Sequence, residues 1–228
     1  MGWKDNNYHN RNLFIAITVA IGFASLKEAQ AIFNFLLSVT KMKSIPRSGW
    51  ISHGISLSDV ESVAEHSFST SALSLLIADL ELSRGAKVDV ERVLRMALFH
   101  DMAESLTFDI SKAYLGYLGR RGDSIKRELE TSAWRHLAEG LKDRALASKY
   151  SRLQTEFDEN EALEAKIVHA ADGLDILLQV IEYRRKGYPG LLLAQLWDGT
   201  NAKITQTKLP SVKQIHRQIL AESKRIGT

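Results

Sequence analysis

Apolar residues recur along the chain at helical spacing, in segments separated by short polar or glycine-containing turns. Similar amphipathic patterns predict helices over residues 29–42, 59–80, 89–103, 123–138, 141–157, 161–186, 191–198 and 210–226. No segment shows the strict alternation of apolar and polar residues that is typical of a β-strand. We therefore predict an all-α fold, a helical bundle of about nine or ten helices.

Composition limits the classes of protein that this chain can represent. Its 228 residues are 45% hydrophobic and 25% charged, enough for one domain with a full core. Cysteine is absent, which excludes disulfides, thiolate metal ligands and a cysteine nucleophile. The absence fits a reducing compartment, and we expect a cytoplasmic protein. A net charge of +3 is only mildly basic, so we expect no stable nucleic-acid partner.

The N-terminal residues contain an apolar run, residues 13–24, that ends before Lys27 and Glu28. The run is shorter than the roughly 20 residues that a membrane span needs. A signal peptide is an alternative, because a small-residue site resembling a cleavage site follows at residues 29–31. The acidic Asp5 and the long polar lead disfavour it. We expect residues 1–28 to form an N-terminal extension with an additional packed helix, and no membrane association.

An apolar segment, residues 96–104, ends in an adjacent histidine and aspartate, His100 and Asp101, followed by Glu104. Burying these groups costs free energy unless they bind something, and a divalent metal takes imidazole and carboxylate together. Successive helical residues point about 100° apart, so further ligands must come from other helices. Alone, the pair favours the alternative of a histidine at a helix C-terminus and an aspartate that caps the next turn.

Three further positions carry polar groups in apolar or turn contexts. His66 lies in the first half of a predicted helix, where a satisfied core histidine is the alternative to a metal ligand. Asp172 lies in an apolar helix, where pairing with a lysine or arginine is the alternative. Arg47 and Trp50 follow Pro46 in a turn. An arginine there can bind a phosphate bidentately beside a stacking ring, or it can simply lie on the surface.

The order of these residues resembles a known family. The matching segments are Ile45-Pro46-Arg47-Ser48-Gly49-Trp50, Glu61-Ser62-Val63-Ala64-Glu65-His66-Ser67, His100-Asp101-Met102-Ala103-Glu104, Asp109-Ile110, Ala171-Asp172 and Leu177-Leu178-Gln179. They resemble the HD-domain metal-dependent phosphohydrolases, and among these the 5'-deoxynucleotidase group of bacterial YfbR-type enzymes and eukaryotic HD-domain-containing protein 2. The resemblance extends over residues 29–188.

The resemblance implies a site with one divalent metal ion, which could be Mn, Co, Fe, Zn or Mg. Its implied ligands are His66, His100, Asp101 and Asp172. Glu104 is implied to orient or deprotonate the attacking water, or to return a proton to the leaving oxygen.

The resemblance also implies the residues that bind substrate. Arg47 would neutralise the phosphate and Trp50 would lie near the sugar, although the bacterial enzymes have this pair adjacent. Asp109 would reach the 3'-hydroxyl and help to exclude a 2'-hydroxyl, which makes it a catalytic candidate beside Glu104. Phe108 precedes it where the family often has glycine.

Two other acidic or basic side chains near the last metal aspartate are given no direct role. His169 and Asp175 are expected to be bystanders or to support the ligands. Gly173 stands where a larger residue is common in the family.

We therefore expect residues 29–190 to form an HD domain, with residues 191–228 as C-terminal helices packed on it. The expected activity is hydrolysis of (deoxy)nucleoside 5'-monophosphates by a homodimer. One alternative is another phosphoester, such as a deoxynucleoside triphosphate or a cyclic dinucleotide. However, Gly187-Tyr188-Pro189 lies far downstream of the place where the cyclic-dinucleotide branch has its signature. A second alternative is a non-catalytic module that binds metal or nucleotide.

Overall fold

The computed structural model describes residues 26–227, and the apolar run at residues 13–24 lies outside the described residues. Eleven α-helices lie in the described range: α1 (26–41), α2 (Ser48–Ile51), α3 (Val63–Ser83), α4 (Val90–Phe99), α5 (Glu104–Thr107), α6 (Lys112–Leu115), α7 (Arg120–Gly140), α8 (Arg144–Glu159), α9 (Leu163–Arg185), α10 (Gly190–Thr205) and α11 (Pro210–Arg225). Residues 26–227 contain no β-strand, which confirms the predicted all-α fold.

Two helix boundaries beside the candidate site differ from those predicted, each for a local reason. The first turn of α3 begins at Val63 rather than at residue 59, because Ser62 and Glu65 form a capping box there. The helix predicted for residues 89–103 ends at Phe99, and α5 begins at Glu104 after a turn. This turn removes His100 and Asp101 from the regular helix, where their side chains would diverge.

Helix α9 is the centre of the molecule. It packs against α3, α4, α8, α10 and α11, and Ile167, Val168, Leu174 and Leu177 on it are fully buried. Gly173 lies where α10 approaches α9, because a Cβ atom there would lie 2.7 Å from Ile204 Cδ1. The helix is therefore held on several sides, so residues that it carries have fixed positions.

Smaller apolar clusters fix the elements beside α9. Met102 and Ala103 pack with Trp134 and Leu137 of α7, which anchors the turn after α4 to α7. None of the helices described for residues 26–227 is both long enough and apolar enough to cross a membrane.

Candidate metal and active site

Helix α3 carries the first candidate ligand, His66. The Ser62 hydroxyl accepts a hydrogen bond from the Glu65 backbone N–H at 3.2 Å, and a Glu65 carboxylate oxygen accepts one from the Ser62 N–H at 2.7 Å. These reciprocal bonds start α3 one turn before His66, and the His66 side chain is fully buried. The capping box therefore determines where His66 enters the core.

The turn after α4 carries the second and third candidates. His100 Nδ1 lies 2.8 Å from the backbone carbonyl oxygen of Ala97, which can only accept a hydrogen bond. Nδ1 is therefore the protonated nitrogen, and Nε2 is left facing the interior of the site. The neighbouring Asp101 places Oδ2 3.3 Å from His100 Nε2.

Helix α9 supplies two carboxylates to opposite sides of the His66 ring. Asp172 Oδ1 lies 3.2 Å from His66 Nε2, and Asp175 Oδ2 lies 2.7 Å from His66 Nδ1. Their spacing of three residues places both on the same side of the helix. Asp175 therefore orients the ring, while Asp172 faces the same space as His66 Nε2 and His100 Nε2.

Three of the donor atoms, on His66, His100 and Asp101, lie at the separations expected of ligands that share one ion, and Asp172 joins them through its contact with His66. His66 Nε2 is 3.3 Å from His100 Nε2 and 3.5 Å from Asp101 Oδ2. Donors bound to an ion at about 2.0–2.2 Å and at right angles lie about 3 Å apart. Both imidazole Nδ1 atoms already have partners, so both Nε2 lone pairs can be directed at a cation. The residues present therefore fit a divalent metal held by two imidazoles and two carboxylates.

The pKa values of His66 and Asp172 reflect the charged groups that surround these side chains. Burial and the charge of Arg47 lower the pKa of His66, but the carboxylates of Asp172 and Asp175 outweigh them and raise it to about 10. Burial likewise opposes ionisation of Asp172, yet hydrogen bonding to His66 lowers the pKa of Asp172 to about 2. A proton on His66 thus occupies the place that a metal ion would take, and metal binding must release it.

Glu104 begins α5 and lies beside this cluster. Its side chain is 3% exposed, and its Oε2 atom makes no hydrogen bond within residues 26–227. Burial, together with the carboxylates of Asp101 and Asp109, raises the pKa of Glu104 well above its usual range. Arg47 and Lys126 oppose that shift. A buried carboxylate with a free oxygen and a raised pKa is suited to general acid–base chemistry.

Arg47 precedes α2 and contacts the metal-ligand cluster directly. Its Nη1 donates to Asp101 Oδ2 at 2.8 Å and lies 3.9 Å from Glu104 Oε2. The Ser48 backbone N–H, at the start of α2, donates to Asp109 Oδ2 at 2.6 Å. Asp109 thus caps the short helix that follows Arg47, which links the two predicted substrate-binding residues.

Trp50 does not lie where the sequence analysis placed it. Its side chain is 3% exposed, and its ring packs edge-on against Tyr183 at 5.1 Å between centroids. The indole N–H donates to Glu61 Oε1 at 2.7 Å, so both its apolar and polar parts have protein partners. Trp50 therefore fixes α2 to the core and offers no face to a ligand, which is a correction to its expected contact with the sugar.

Comparisons with known proteins identify the family of this chain. The family model that matches the chain is described as an HD domain and covers residues 39–213, well over half of the sequence. The chain belongs to the HD-domain family.

Individual HD proteins show similarity over most of the chain. The protein named 5'-deoxynucleotidase HDDC2 from Danio rerio is 31% identical over 70% of this chain and 73% of its own length. The crystal structure of the PH0347 protein from Pyrococcus horikoshii has a TM-score of 0.69 at 28% identity, covering 83% of this chain and 99% of that one.

A third similar protein is described as a hydrolase of phosphoesters. The structure described as a predicted metal-dependent phosphohydrolase from Magnetospirillum magnetotacticum has a TM-score of 0.64 at 25% identity. It covers 88% of this chain and 95% of that one.

Within the HD site, sequence reasoning missed two residues and gave two others no definite role. Lys126 of α7 lies 3.7 Å from Glu104 Oε1, and Glu61 accepts the hydrogen bond from Trp50. Nothing in the local sequence around either residue indicates these long-range contacts. Asp175 supports His66, whereas His169 stacks on Phe157 and donates to that residue's backbone carbonyl at 2.8 Å, outside the site.

Proposed function

We propose that this chain is a divalent-metal-dependent phosphomonoesterase that hydrolyses (deoxy)nucleoside 5'-monophosphates to nucleoside and phosphate. The observation that carries the proposal is the convergence of metal-type donors on His66, His100 and Asp101, with Asp172 against His66, beside the buried carboxylate Glu104 and the cation Arg47. The name 5'-deoxynucleotidase of a relative that is 31% identical supports the substrate class.

The metal ligands in this proposal are His66, His100, Asp101 and Asp172. When bound, the ion supplies positive charge that polarises the phosphate and makes a nearby water more acidic. Mixed nitrogen and oxygen donors suit Mn, Co, Fe or Zn, and Mg is compatible with the carboxylates. The donor set alone does not select among these ions.

Glu104 is the proposed group for proton transfer, and Arg47 is the proposed group that binds the negative charge of the phosphate. Glu104 accepts a proton from the attacking water through its free oxygen, or returns one to the leaving 5'-oxygen. Arg47 lies within hydrogen-bond distance of Asp101, so a phosphate bound beside that ligand is within reach of its guanidinium group. These contacts favour the dianionic head group of a monophosphate.

Asp109 is the proposed contact to the sugar. Its Oδ2 atom is occupied by the Ser48 N–H, which leaves Oδ1 to accept a hydrogen bond from a 3'-hydroxyl. If the sugar ring is held close to α2, the Asp109 carboxylate disfavours a sugar that carries an additional 2'-hydroxyl. Trp50 contributes by fixing α2, not by touching the sugar.

A panel of phosphoesters tests this function. Purified protein is freed of metal and assayed for phosphate release from deoxynucleoside 5'-monophosphates, ribonucleoside 5'-monophosphates, dATP and bis(p-nitrophenyl) phosphate. Each substrate is combined with Mn²⁺, Co²⁺, Mg²⁺ or EDTA. We expect release from the deoxynucleoside monophosphates that EDTA abolishes. Activity on only the triphosphate or the diester would retain the metal site and overturn the substrate.

We also propose that the protein is a homodimer. Helix α1 exposes large apolar side chains to solvent, among them Phe33 at 55% and Leu36 at 53%. Aspartate at these two positions should convert a dimer into a monomer in light-scattering measurements, because a charge in an apolar interface is costly. A wild-type protein that is monomeric at assay concentrations would contradict this proposal.

A further inference from the structure

Glu104 lies between two cations that face different oxygens of its carboxylate. Oε2 is 3.9 Å from Arg47 Nη1, on the side of the metal ligands, because the same Nη1 atom contacts Asp101. Oε1 is 3.7 Å from Lys126 Nζ, on the side of α7. The positions of the two cations determine which oxygen is directed at the reacting groups.

Lys126 is itself held in place. Its ammonium group pairs with Glu130 one turn further along α7, and its side chain is 18% exposed. Two turns beyond Lys126, Ala133 and Trp134 pack with Met102 and Ala103, the residues that directly precede Glu104. The helix that carries Lys126 and the turn that carries Glu104 are therefore parts of one packed unit.

Contacts of Lys126 with acidic groups are confined to this side of the site. Among residues 26–227, the carboxylates within 4 Å of its Nζ are those of Glu104 and Glu130. None of the four candidate metal ligands is among them. The ammonium group thus contacts Glu104 and makes no direct contact with the metal-ligand cluster.

We infer that Lys126 is a positioning residue that holds Glu104 through Oε1, so that Oε2 faces the attacking water. The inference rests on the proposed function, since it assigns Lys126 a role in the reaction that Glu104 assists. A group misplaced by about 1 Å can lower a rate by about 100-fold. Lys126 is therefore expected to affect turnover more than substrate binding.

The test compares Lys126→Met with Lys126→Arg. Each variant is loaded with Mn²⁺, and its metal content and Tm are measured before kinetics on a deoxynucleoside monophosphate. Lys126→Met should lower kcat about 10- to 100-fold with KM changed by less than about twofold. Lys126→Arg should restore most of kcat. Lys149→Met, which removes a 46%-exposed lysine on α8, is the matched control and should leave both constants unchanged.

A double-mutant cycle with Glu104→Gln separates positioning from direct contact. If Lys126 acts through Glu104, adding Lys126→Met to Glu104→Gln should change kcat by less than about twofold. Full additivity, or a rise in KM with kcat unchanged, would mean that Lys126 contacts the substrate and would overturn the inference. Lys126→Gln, which keeps a polar head group, provides a second neutral variant and must show the same result even if Lys126→Met unfolds.

Failure of the inference can be distinguished from failure of the proposed function. A wild-type protein that binds metal and releases no phosphate from any nucleotide overturns the function, and the inference with it. An active wild-type protein whose kcat is unaffected by Lys126→Met and Lys126→Gln overturns the inference alone.

Discussion

Replacing Asp175 with asparagine should weaken metal binding although Asp175 is not among the proposed ligands. Asp175 Oδ2 accepts a hydrogen bond from His66 Nδ1 at 2.7 Å, and the side chains are 8% and 0% exposed. That bond keeps Nδ1 protonated and increases the basicity of the ring, so that Nε2 can bind a metal ion once it has released its own proton. Asparagine removes the negative charge, and its NH₂ group can donate to Nδ1, which would favour the tautomer with a proton on Nε2.

The expected loss of metal affinity follows from the kind of hydrogen bond that Asp175→Asn removes. Loss of a residue that orients a metal ligand typically costs about 10- to 100-fold in metal affinity. This range equals about 1.4 to 2.8 kcal/mol, close to the roughly 1.5 to 3 kcal/mol of a hydrogen bond to a charged group. The buried position of both partners places Asp175→Asn within this range, with no discount for exposure.

Competition with a fluorescent chelator measures the effect. Metal-free protein competes for Mn²⁺ at fixed pH, and the Kd of Asp175→Asn is compared with that of the wild type. Asp79→Asn makes the same substitution at an exposed position on α3 and should bind normally. A wild-type Kd for Asp175→Asn would show that Asp175 does not control the His66 ring, or that His66 is not a ligand.

Four further outcomes follow from the same structure. Asp172→Ala should lose metal affinity, and undiminished metal content would mean that the fourth ligand is misassigned. Glu104→Ala should keep its metal and lose turnover by about 10²- to 10⁴-fold, as judged by metal analysis and phosphate release. Ser62→Ala removes the α3 cap and should lower the free energy of unfolding in urea by about 1 kcal/mol. The metal-free protein should lose stability as pH rises from about 6.5 towards 10, because His66 has a raised pKa of about 10 in the folded state.

A raised histidine pKa stabilises the fold fully below about 6.5, and this contribution, on the order of 4 kcal/mol, disappears as the folded group loses its proton. The Tm of metal-free protein should therefore fall over that interval, and a constant or rising Tm would refute the protonated His66. Full activity of Glu104→Ala would remove Glu104 from the mechanism. An unchanged urea midpoint for Ser62→Ala would show that the capping box contributes nothing.

The sequence was sufficient for the fold class and the family because both depend on local patterns. Helical periodicity is repeated along the chain, and the order of His66, His100, Asp101 and Asp172 does not require a view of the packing. The helices of residues 26–227 confirm the all-α fold class, and the match to the HD-domain model confirms the family. The roles assigned to the individual site residues stay predictions.

Other features could not be predicted because they arise from contacts between distant segments. Trp50 is buried by Tyr183, which lies on α9, far away in the sequence. Lys126 reaches Glu104 only because α7 packs against the turn after α4. The start of α3 at Val63 depends on the reciprocal hydrogen bonds of Ser62 and Glu65. In each case, tertiary packing or a specific hydrogen bond determined the result.

The most direct test of the metal-dependent phosphomonoesterase activity is a titration of metal-free protein with Mn²⁺. Phosphate release from a deoxynucleoside 5'-monophosphate is followed during the titration. We propose that His66, His100, Asp101 and Asp172 hold one ion per chain. We expect no phosphate release before metal is added, a linear rise with added metal and a plateau at one equivalent per chain. Phosphate release by rigorously metal-free protein, or a protein that binds one equivalent and stays inactive, would contradict this expectation.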